Sequence, residues 1–178
     1  MSDDKSRVQN VIDALNKARS MELQAISQYM VQHYILDDLD YGQLCGWQKL
    51  ISVDEMRHAE DFAERIEALG GNPTCDKAGP IAQPQTVEQI YPFDVNMEQN
   101  TVDTYDKLAE ICRQNGDQAS AALFDRIIQD ELVHLQYYKD TTTHIEKLGD
   151  AFLAKYAATS KHSGPIKSFV KVMKKEDF

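Results

Sequence analysis

Cysteine is scarce in this sequence of 178 residues, and its three copies form no pair. Cys45, Cys75 and Cys112 are odd in number, widely spaced and contain no CxxC motif. A disulfide framework needs an even number of thiols at regular spacings, so the sequence argues against one. We expect three reduced thiols in a reducing compartment, and therefore a cytoplasmic protein.

Long apolar runs are also absent. No stretch approaches the ~18 apolar residues of a membrane span, and the first residues, Met-Ser-Asp-Asp-Lys, lack the apolar core of a signal peptide. Basic residues are outnumbered, since 19 Lys and Arg against 29 Asp and Glu give a formal net charge of −10. An acidic chain repels nucleic-acid phosphates and anionic lipid and attracts cations. We expect no nucleic-acid partner and no membrane partner.

Strand-like alternation of apolar and polar residues is missing as well, whereas helical spacing is sustained. Between about Lys5 and Leu36 apolar residues recur every three or four positions without Pro or Gly, which predicts a long amphipathic helix. A break at 37–42 precedes a second helical run to about Leu69. Gly70-Gly71-Asn72-Pro73 then supplies a left-handed cap and a helix breaker.

The rest of the chain repeats this pattern. Two further helical runs cover about 87–115 and 117–147, and a connection rich in Pro and Gly at 71–86 precedes them. The fold class predicted is all-α: a four-helix bundle, with a long crossover that makes helices two and three parallel. A short fifth helix is expected near 150–158.

Length and composition suit one domain with a sizeable core. We place that domain at 1–160, followed by a Lys-rich tail at 161–178. The sequence is compatible with either a mobile tail or one that packs on the surface.

One polar motif occurs twice. Asp-Glu-x-x-His at 54–58 returns 76 positions later at 130–134. The same offset relates two polar pairs in the preceding helices, namely Glu22 with Glu98 and Tyr29 with Tyr105. Five matches at one offset indicate two equivalent halves, each with a Glu on one helix and a Glu and a His on its partner.

Residues three apart share a helix face, so the Glu and His of each motif can reach one point inside the bundle. Two facing halves offer four carboxylates and two imidazoles, which would be costly to bury without a metal. Two divalent cations remove most of that cost, and this donor set suits iron or manganese. A single Glu-x-x-His is usually an exposed ion-pairing face, but the duplicated set favours a di-metal site. The predicted ligands are Glu22, Glu55, His58, Glu98, Glu131 and His134.

Four flanking residues fit a supporting role. Asp54 and Asp130 directly precede the motif Glu residues, and we expect each to accept the free ring N–H of the opposite half's His. Tyr29 and Tyr105 lie two turns after the lone Glu residues, and we expect them to hydrogen-bond the bridging carboxylates. The simpler alternative for each Tyr is an ordinary core residue with a satisfied hydroxyl.

These residues resemble the bacterioferritins, haem-containing members of the ferritin-like group. The likeness extends from about Lys5 to about Ala158. It is carried by MELQAISQYM (21–30), VDEMRHAEDFAERIEALGG (53–71), DVNMEQ (94–99) and RIIQDELVHLQYY (126–138). The resemblance implies a ferroxidase centre in which the six predicted ligands hold two iron ions per subunit, with Glu55 and Glu131 as bridges. It also implies a ferritin-like cage of 24 subunits, built from two-fold dimers, that oxidises Fe²⁺ with O₂ or H₂O₂ and stores a ferric mineral.

Met56 lies one residue from Glu55, about 100° round the helix, so it faces away from the predicted metals. Spacing alone favours core or interface packing for such a Met. In the family a Met at this place is an axial ligand of a haem at the dimer two-fold, so the resemblance implies one haem per two subunits and a small ferredoxin as reductant. The predicted lining residues of the haem pocket are Leu23, Ile26, Met30 and Lys49.

One position departs from the family pattern. Members with an inner-surface iron site carry a His five residues before the first bridging Glu, where this chain has Leu50, although Asp54 is retained. The resemblance therefore gives no support for an inner-surface site.

Two alternatives to iron storage fit a helical bundle. A rubrerythrin-like di-iron peroxide reductase is one, but such proteins usually append a module with two CxxC pairs, and the tail at 161–178 has no Cys. A metal-free interaction module is the other, and it leaves the matched ligand set unexplained. The sequence favours iron storage with ferroxidase activity.

Overall fold

The computed structural model describes residues 2–159 and 168–174, and within these ranges its regular structure is entirely helical. The helices in chain order are α1 (Ser2–Asp38), α2 (Gly42–Ala68), α3 (Val87–Gln114), α4 (Gln118–Leu148), α5 (Asp150–Leu153) and α6 (Phe169–Lys174). The long helices pair as α1 with α2 and α3 with α4. The predicted all-α four-helix bundle is confirmed. No helix in the described ranges is long and apolar enough to cross a membrane.

The helix ends coincide with the predicted turn residues. Gly70 has φ +79°, and its N–H bonds back to the carbonyl of Glu67, which closes α2. Asp117 caps α4 by accepting the N–H of Ser120 at 2.9 Å. Arg65, near the end of α2, donates to both carboxylate oxygens of Asp117. This ion pair connects the C-terminal end of α2 to the N-terminal end of α4, the two helices that carry the Asp-Glu-x-x-His motifs.

The crossover lies along α1 and is held by amide side chains of that helix. Asn16 accepts the N–H of Thr74 at 2.7 Å, and Gln28 accepts the N–H of Ala82 at 2.7 Å. Satisfying these backbone groups stabilises a long connection that has no secondary structure of its own. Because the crossover returns the chain to the end of the bundle where α2 began, α3 runs parallel to α2, as predicted.

The core consists of two apolar clusters, one toward each end of the bundle. The first is centred on the buried rings of Phe62, Tyr105 and Phe124, whose centroids lie 5.1–5.6 Å apart. The second contains Tyr29 and Tyr138 with several other aromatic residues. A layer of buried charged residues lies between the clusters. Such a layer is costly in a low-dielectric interior unless the charges are compensated.

The C-terminal part differs from expectation. The fifth helix is shorter than predicted, because α5 covers only Asp150–Leu153 and residues 154–158 form turns. Ala158 has φ +54° and donates its N–H to the carbonyl of Asp40, which ends the helical path. The predicted domain division at 160 lies outside the described residues, but α6 packs on α2 and α4.

Candidate metal centre

The six predicted ligands come from all four long helices and meet in the buried charged layer. α1 contributes Glu22, α2 contributes Glu55 and His58, α3 contributes Glu98, and α4 contributes Glu131 and His134. Each is at most 3% exposed. Two groups of four have donor atoms that all lie within 4.8 Å of one another, and the two groups share Glu55 and Glu131.

The first group is arranged around His58. Its Nδ1 atom lies 3.1 Å from Glu55 Oε2, 3.1 Å from Glu131 Oε1 and 3.8 Å from Glu22 Oε1. One imidazole and three carboxylates from three helices therefore face a common point.

The second group mirrors the first around His134. Its Nδ1 atom lies 3.1 Å from Glu55 Oε1, 3.2 Å from Glu131 Oε2 and 4.0 Å from Glu98 Oε1. Glu55 and Glu131 thus direct one oxygen toward each histidine. That is the arrangement expected of two carboxylates that bridge a pair of metals.

The short distances between donor atoms fit metal coordination better than hydrogen bonding. Donor atoms that share an octahedral metal with bonds of about 2.1 Å lie roughly 3 Å apart. Among the described residues, the buried Oε1 atoms of Glu55 and Glu131 have no hydrogen-bond partner, although an imidazole nitrogen lies 3.1 Å from each. Hard carboxylate donors with imidazole and no thiolate suit iron or manganese. The residues fit a pair of such ions.

Burial and mutual contacts shift the pKa values of Glu and His residues in this cluster. Burial raises the pKa of Glu22 and Glu98 well above their usual range, and repulsion from Glu131 adds to it. Burial would lower the pKa of His58 and His134, but the surrounding carboxylates raise both well above the ordinary value. Burial would likewise raise the pKa of Glu131, but the two histidines lower it. Without cations, protons would offset the repulsion among these buried carboxylates, so metal binding would release protons.

The two tyrosines take partners that differ from the prediction. Tyr29 donates to Glu98 Oε1 at 2.6 Å, and Tyr105 donates to Glu22 Oε1. The expectation that they bond to the bridging carboxylates was wrong. Each Tyr lies about 10 Å along the axis from the Glu on its own helix, and the packing of α1 against α3 brings its hydroxyl to the terminal Glu of the opposite half.

The two aspartates lie behind the histidines. Asp130 Oδ2 is 3.6 Å from His58 Nε2, and Asp54 Oδ2 is 3.6 Å from His134 Nε2, so each faces the opposite half's ring, but neither accepts the hydrogen bond that we expected. Both distances slightly exceed a direct hydrogen bond. A carboxylate at this place orients the ring so that Nδ1 points to the metals.

Comparison with known proteins agrees with this geometry. The ferritin family, described as a ferritin-like domain, matches residues 12–148. A bacterioferritin of Desulfovibrio desulfuricans is 51% identical over 158 residues, which cover 89% of this chain and 88% of that protein. The chain belongs to the bacterioferritin family. Its predicted ferritin-like fold is thereby confirmed.

Solved structures of bacterioferritins share the same fold. That of the Desulfovibrio desulfuricans bacterioferritin, whose di-iron site was captured in different catalytic states, superposes with a TM-score of 0.90 at 49% identity and covers 92% of this chain and 96% of that one. The bacterioferritin of Mycobacterium tuberculosis gives a TM-score of 0.79 at 30% identity over 83% of this chain and 94% of that one.

The predicted haem ligand, Met56, lies on the outer face of α2. Met56 is 51% exposed, so it points away from the ligand layer, as the helix geometry predicts. Ser52, one turn earlier, donates to the carbonyl of Ile26 at 3.3 Å, which brings this face of α2 beside α1. Of the predicted lining residues, Leu23, Ile26 and Met30 are half-buried and Lys49 is exposed.

Leu50 occupies the position at which the family resemblance would place a His for an inner-surface iron site. Its side chain is buried in the second apolar cluster. Asp54, retained from that site, already accepts hydrogen bonds from Arg57 and from the N–H of Val170.

The structure also reveals a buried carboxyl that sequence reasoning missed. Asp94 is fully buried and accepts hydrogen bonds from Gln32 at 2.7 Å and from Gln48 at 3.0 Å. Burial raises its pKa well above the usual range despite these bonds. Its spacing of four residues from Glu98 places it on the same helix face and was the available signal.

Proposed function

We propose that this bacterioferritin stores iron and oxidises Fe²⁺ at a di-iron centre formed by the six buried Glu and His residues. The observation that supports this most directly is the pair of four-residue donor groups that share Glu55 and Glu131. A structural metal would need one group. Two groups with common carboxylates suit a reaction that takes one electron from each of two ions.

Each residue has a distinct part in that reaction. Glu55 and Glu131 hold both Fe²⁺ ions, which are the substrate, and their anionic oxygens stabilise Fe³⁺ more than Fe²⁺ because the attraction grows with the charge of the ion. His58 and His134 complete each half. Two Fe²⁺ ions supply two electrons, which with two protons reduce O₂ to H₂O₂, or H₂O₂ to two waters.

The tyrosines limit the movement of the terminal ligands. The hydroxyls of Tyr29 and Tyr105 anchor Glu98 and Glu22 from the opposite half, where each hydrogen bond to a charged oxygen contributes about 1.5–3 kcal/mol. Held in this way, the carboxylates keep their orientation when ions bind and leave. We infer a centre that survives repeated oxidation cycles.

The storage role requires assembly. We propose a homo-oligomeric cage of 24 subunits built from two-fold dimers, as the family membership implies. Large apolar side chains that a monomer would expose support burial between subunits, among them Tyr34 at 63% and Met56 at 51%.

Met56 would hold a haem at the dimer two-fold, one for every two subunits. An exposed thioether beside the half-buried apolar residues Leu23, Ile26 and Met30 suits an apolar porphyrin face shared with a second copy. Such a group, when bound, supplies electron transfer, and a small ferredoxin is the reductant we propose. The peroxide-reductase alternative is not favoured, because the relatives that match along nearly the whole chain are bacterioferritins.

Substituting one shared ligand tests the function. Glu131→Ala removes an oxygen donor from both metals, so rapid Fe²⁺ oxidation should be lost in stopped-flow measurements while the assembled particle keeps its size. Glu146→Ala is the matched control, since this exposed Glu lies on the same helix. Oxidation by Glu131→Ala at the wild-type rate would overturn the proposed centre.

A further inference from the structure

The C-terminal helix α6 lies over the face of the bundle behind the two motif histidines. Phe169 is fully buried and Val170 is 5% exposed, and the helix contacts α2 and α4. The ring of Phe169 is centred 4.9 Å from that of Tyr137 and 5.9 Å from that of His134. A short segment of a Lys-rich tail is therefore in direct contact with a predicted metal ligand.

A backbone group of α6 fixes the aspartate behind His134. The N–H of Val170 donates to Asp54 Oδ2 at 3.1 Å, and this is the oxygen that lies 3.6 Å from His134 Nε2. The other oxygen, Oδ1, accepts from Arg57 at 3.0 Å. With both oxygens engaged, the carboxylate has one orientation, and the oxygen that faces the imidazole is held in place.

A side chain of the same helix reaches the aspartate behind His58. Lys174 Nζ donates to Asp130 Oδ1 at 3.3 Å, while Asp130 Oδ2 lies 3.6 Å from His58 Nε2. Val170 and Lys174 are four residues apart and so share one face of α6. Lys171 lies between them and is exposed.

We propose that α6 is a positioning element of the metal centre, in which Val170 and Lys174 fix the two aspartates that orient the ligand histidines. This proposal rests on the proposed function, because it takes the Glu and His groups as metal ligands. Simple packing of a tail would require the burial of Phe169 and Val170. It would not require that the six-residue helix α6 contacts both Asp54 and Asp130, which are 76 positions apart in the sequence.

The two contacts differ in strength because their surroundings differ. Asp54 is enclosed, with a side chain 4% exposed, whereas the Asp130 side chain is 25% exposed. An open cleft of about 460 Å³ lies beside α6 and is lined by both aspartates, Asp54 and Asp130, with His58 and Lys171 among others. Loss of the buried backbone contact should therefore perturb metal binding more than loss of the exposed Lys174 contact.

Two pairs of variants of the full-length, metal-free protein test this. Val170→Pro removes the N–H donor in the first turn of α6, where proline is tolerated, and Val170→Ala keeps the N–H but shortens the side chain. Lys174→Met removes the cation, and Lys147→Met makes the same change on an exposed Lys of α4. Calorimetric titration with Co²⁺ and the Co²⁺ d–d absorption spectrum report affinity and ligand geometry independently of ferroxidase activity.

We expect wild type to bind two Co²⁺ per chain. Val170→Pro should weaken binding by about tenfold, the lower end of the effect of losing a partner of a ligand histidine, and change the d–d spectrum. Lys174→Met should show a smaller change in the same direction, and both controls should match wild type.

Three results would overturn the proposal. Val170→Pro and Lys174→Met with wild-type affinity and spectrum would show that α6 only packs on the bundle. Equal weakening by Val170→Ala and Val170→Pro would assign the effect to packing rather than to the hydrogen bond. Failure of wild type itself to bind Co²⁺ would remove the proposed metal centre, and the role of α6 with it.

Discussion

Two arginine–aspartate pairs of similar geometry lie in different surroundings, and we expect unequal contributions to stability. Arg65 donates to both oxygens of Asp117 at 2.9 and 2.8 Å, and Arg113 to both oxygens of Asp125 at 2.6 and 2.7 Å. The side chains are 28% and 14% exposed in the first pair but 37% and 54% in the second. Asp117 also accepts from the N–H and the hydroxyl of Ser120.

The change Asp117→Ala removes the α4 cap and a partly buried ion pair together. Loss of an N-cap costs about 1 kcal/mol, and the ion pair, discounted for its partial exposure, about 1 kcal/mol more. We therefore expect the free energy of unfolding to fall by about 2 kcal/mol, which for a chain of this length lowers Tm by about 4–8 °C. Asp125→Ala should cost clearly less than Asp117→Ala, because it removes only an exposed pair and no helix cap.

The pH dependence provides a second check. Burial would raise the pKa of Asp117, but Ser120 and Arg65 lower it below its usual range. A carboxylate with a lowered folded-state pKa contributes its stability above the unfolded-state pKa of about 3.9, and this is lost as pH falls through the folded-state value. The difference in Tm between wild type and Asp117→Ala should be complete at neutral pH and shrink below about pH 4.

Thermal unfolding of the metal-free proteins, followed by circular dichroism at one protein concentration, measures both effects. Asp125→Ala is the matched control. The reasoning fails if the two variants lose equal stability, since burial and capping would then contribute nothing beyond the ion pair itself. A difference in Tm that persists unchanged at pH 3 would contradict the assignment to the Asp117 carboxylate.

Met56→Leu keeps apolar volume, a change that usually costs below ~1.5 kcal/mol, and Leu132 already occupies the equivalent position of the second half. This variant should assemble and oxidise Fe²⁺ like wild type but lack the haem absorption band; a retained low-spin haem spectrum would show that another residue is the ligand. Burial raises the pKa of Cys112 to about 12, so iodoacetamide at pH 8 should leave this thiol unmodified in the native protein and modify it after denaturation. Mass spectrometry showing equal rates in both states would refute this.

The sequence was sufficient to predict which side chains meet in the centre. A helix fixes the face on which residues three apart lie, so each Glu-x-x-His pair was placed without coordinates. The partners of Tyr29 and Tyr105 were predicted incorrectly because the periodicity of one helix contains no distance to another. Two turns separate Tyr29 from Glu22 by about 10 Å along the axis, and only the packing of α1 on α3 decides that its hydroxyl reaches Glu98.

Residues that do not follow the 76-residue repeat were missed for a related reason. Asp94 maps by the 76-residue offset onto Ala18, so the repeat gives no indication of a polar residue there. The docking of α6 depends on two apolar residues, Phe169 and Val170, in a segment rich in Lys. Two such residues are too few to show a helical period, and the hydrogen bond of Val170 joins positions 116 residues apart.

The described residues contain one helix α6 but two equivalent groups of predicted metal-ligand residues. The internal repeat supplies two halves with the same ligands, but the ring of Phe169 contacts His134, while His58 lines the open cleft. The two halves of the centre therefore have the same ligands but different surroundings. Both halves remain buried, with His58 3% exposed and His134 fully buried, so the two halves differ in what covers them and hardly at all in their own exposure.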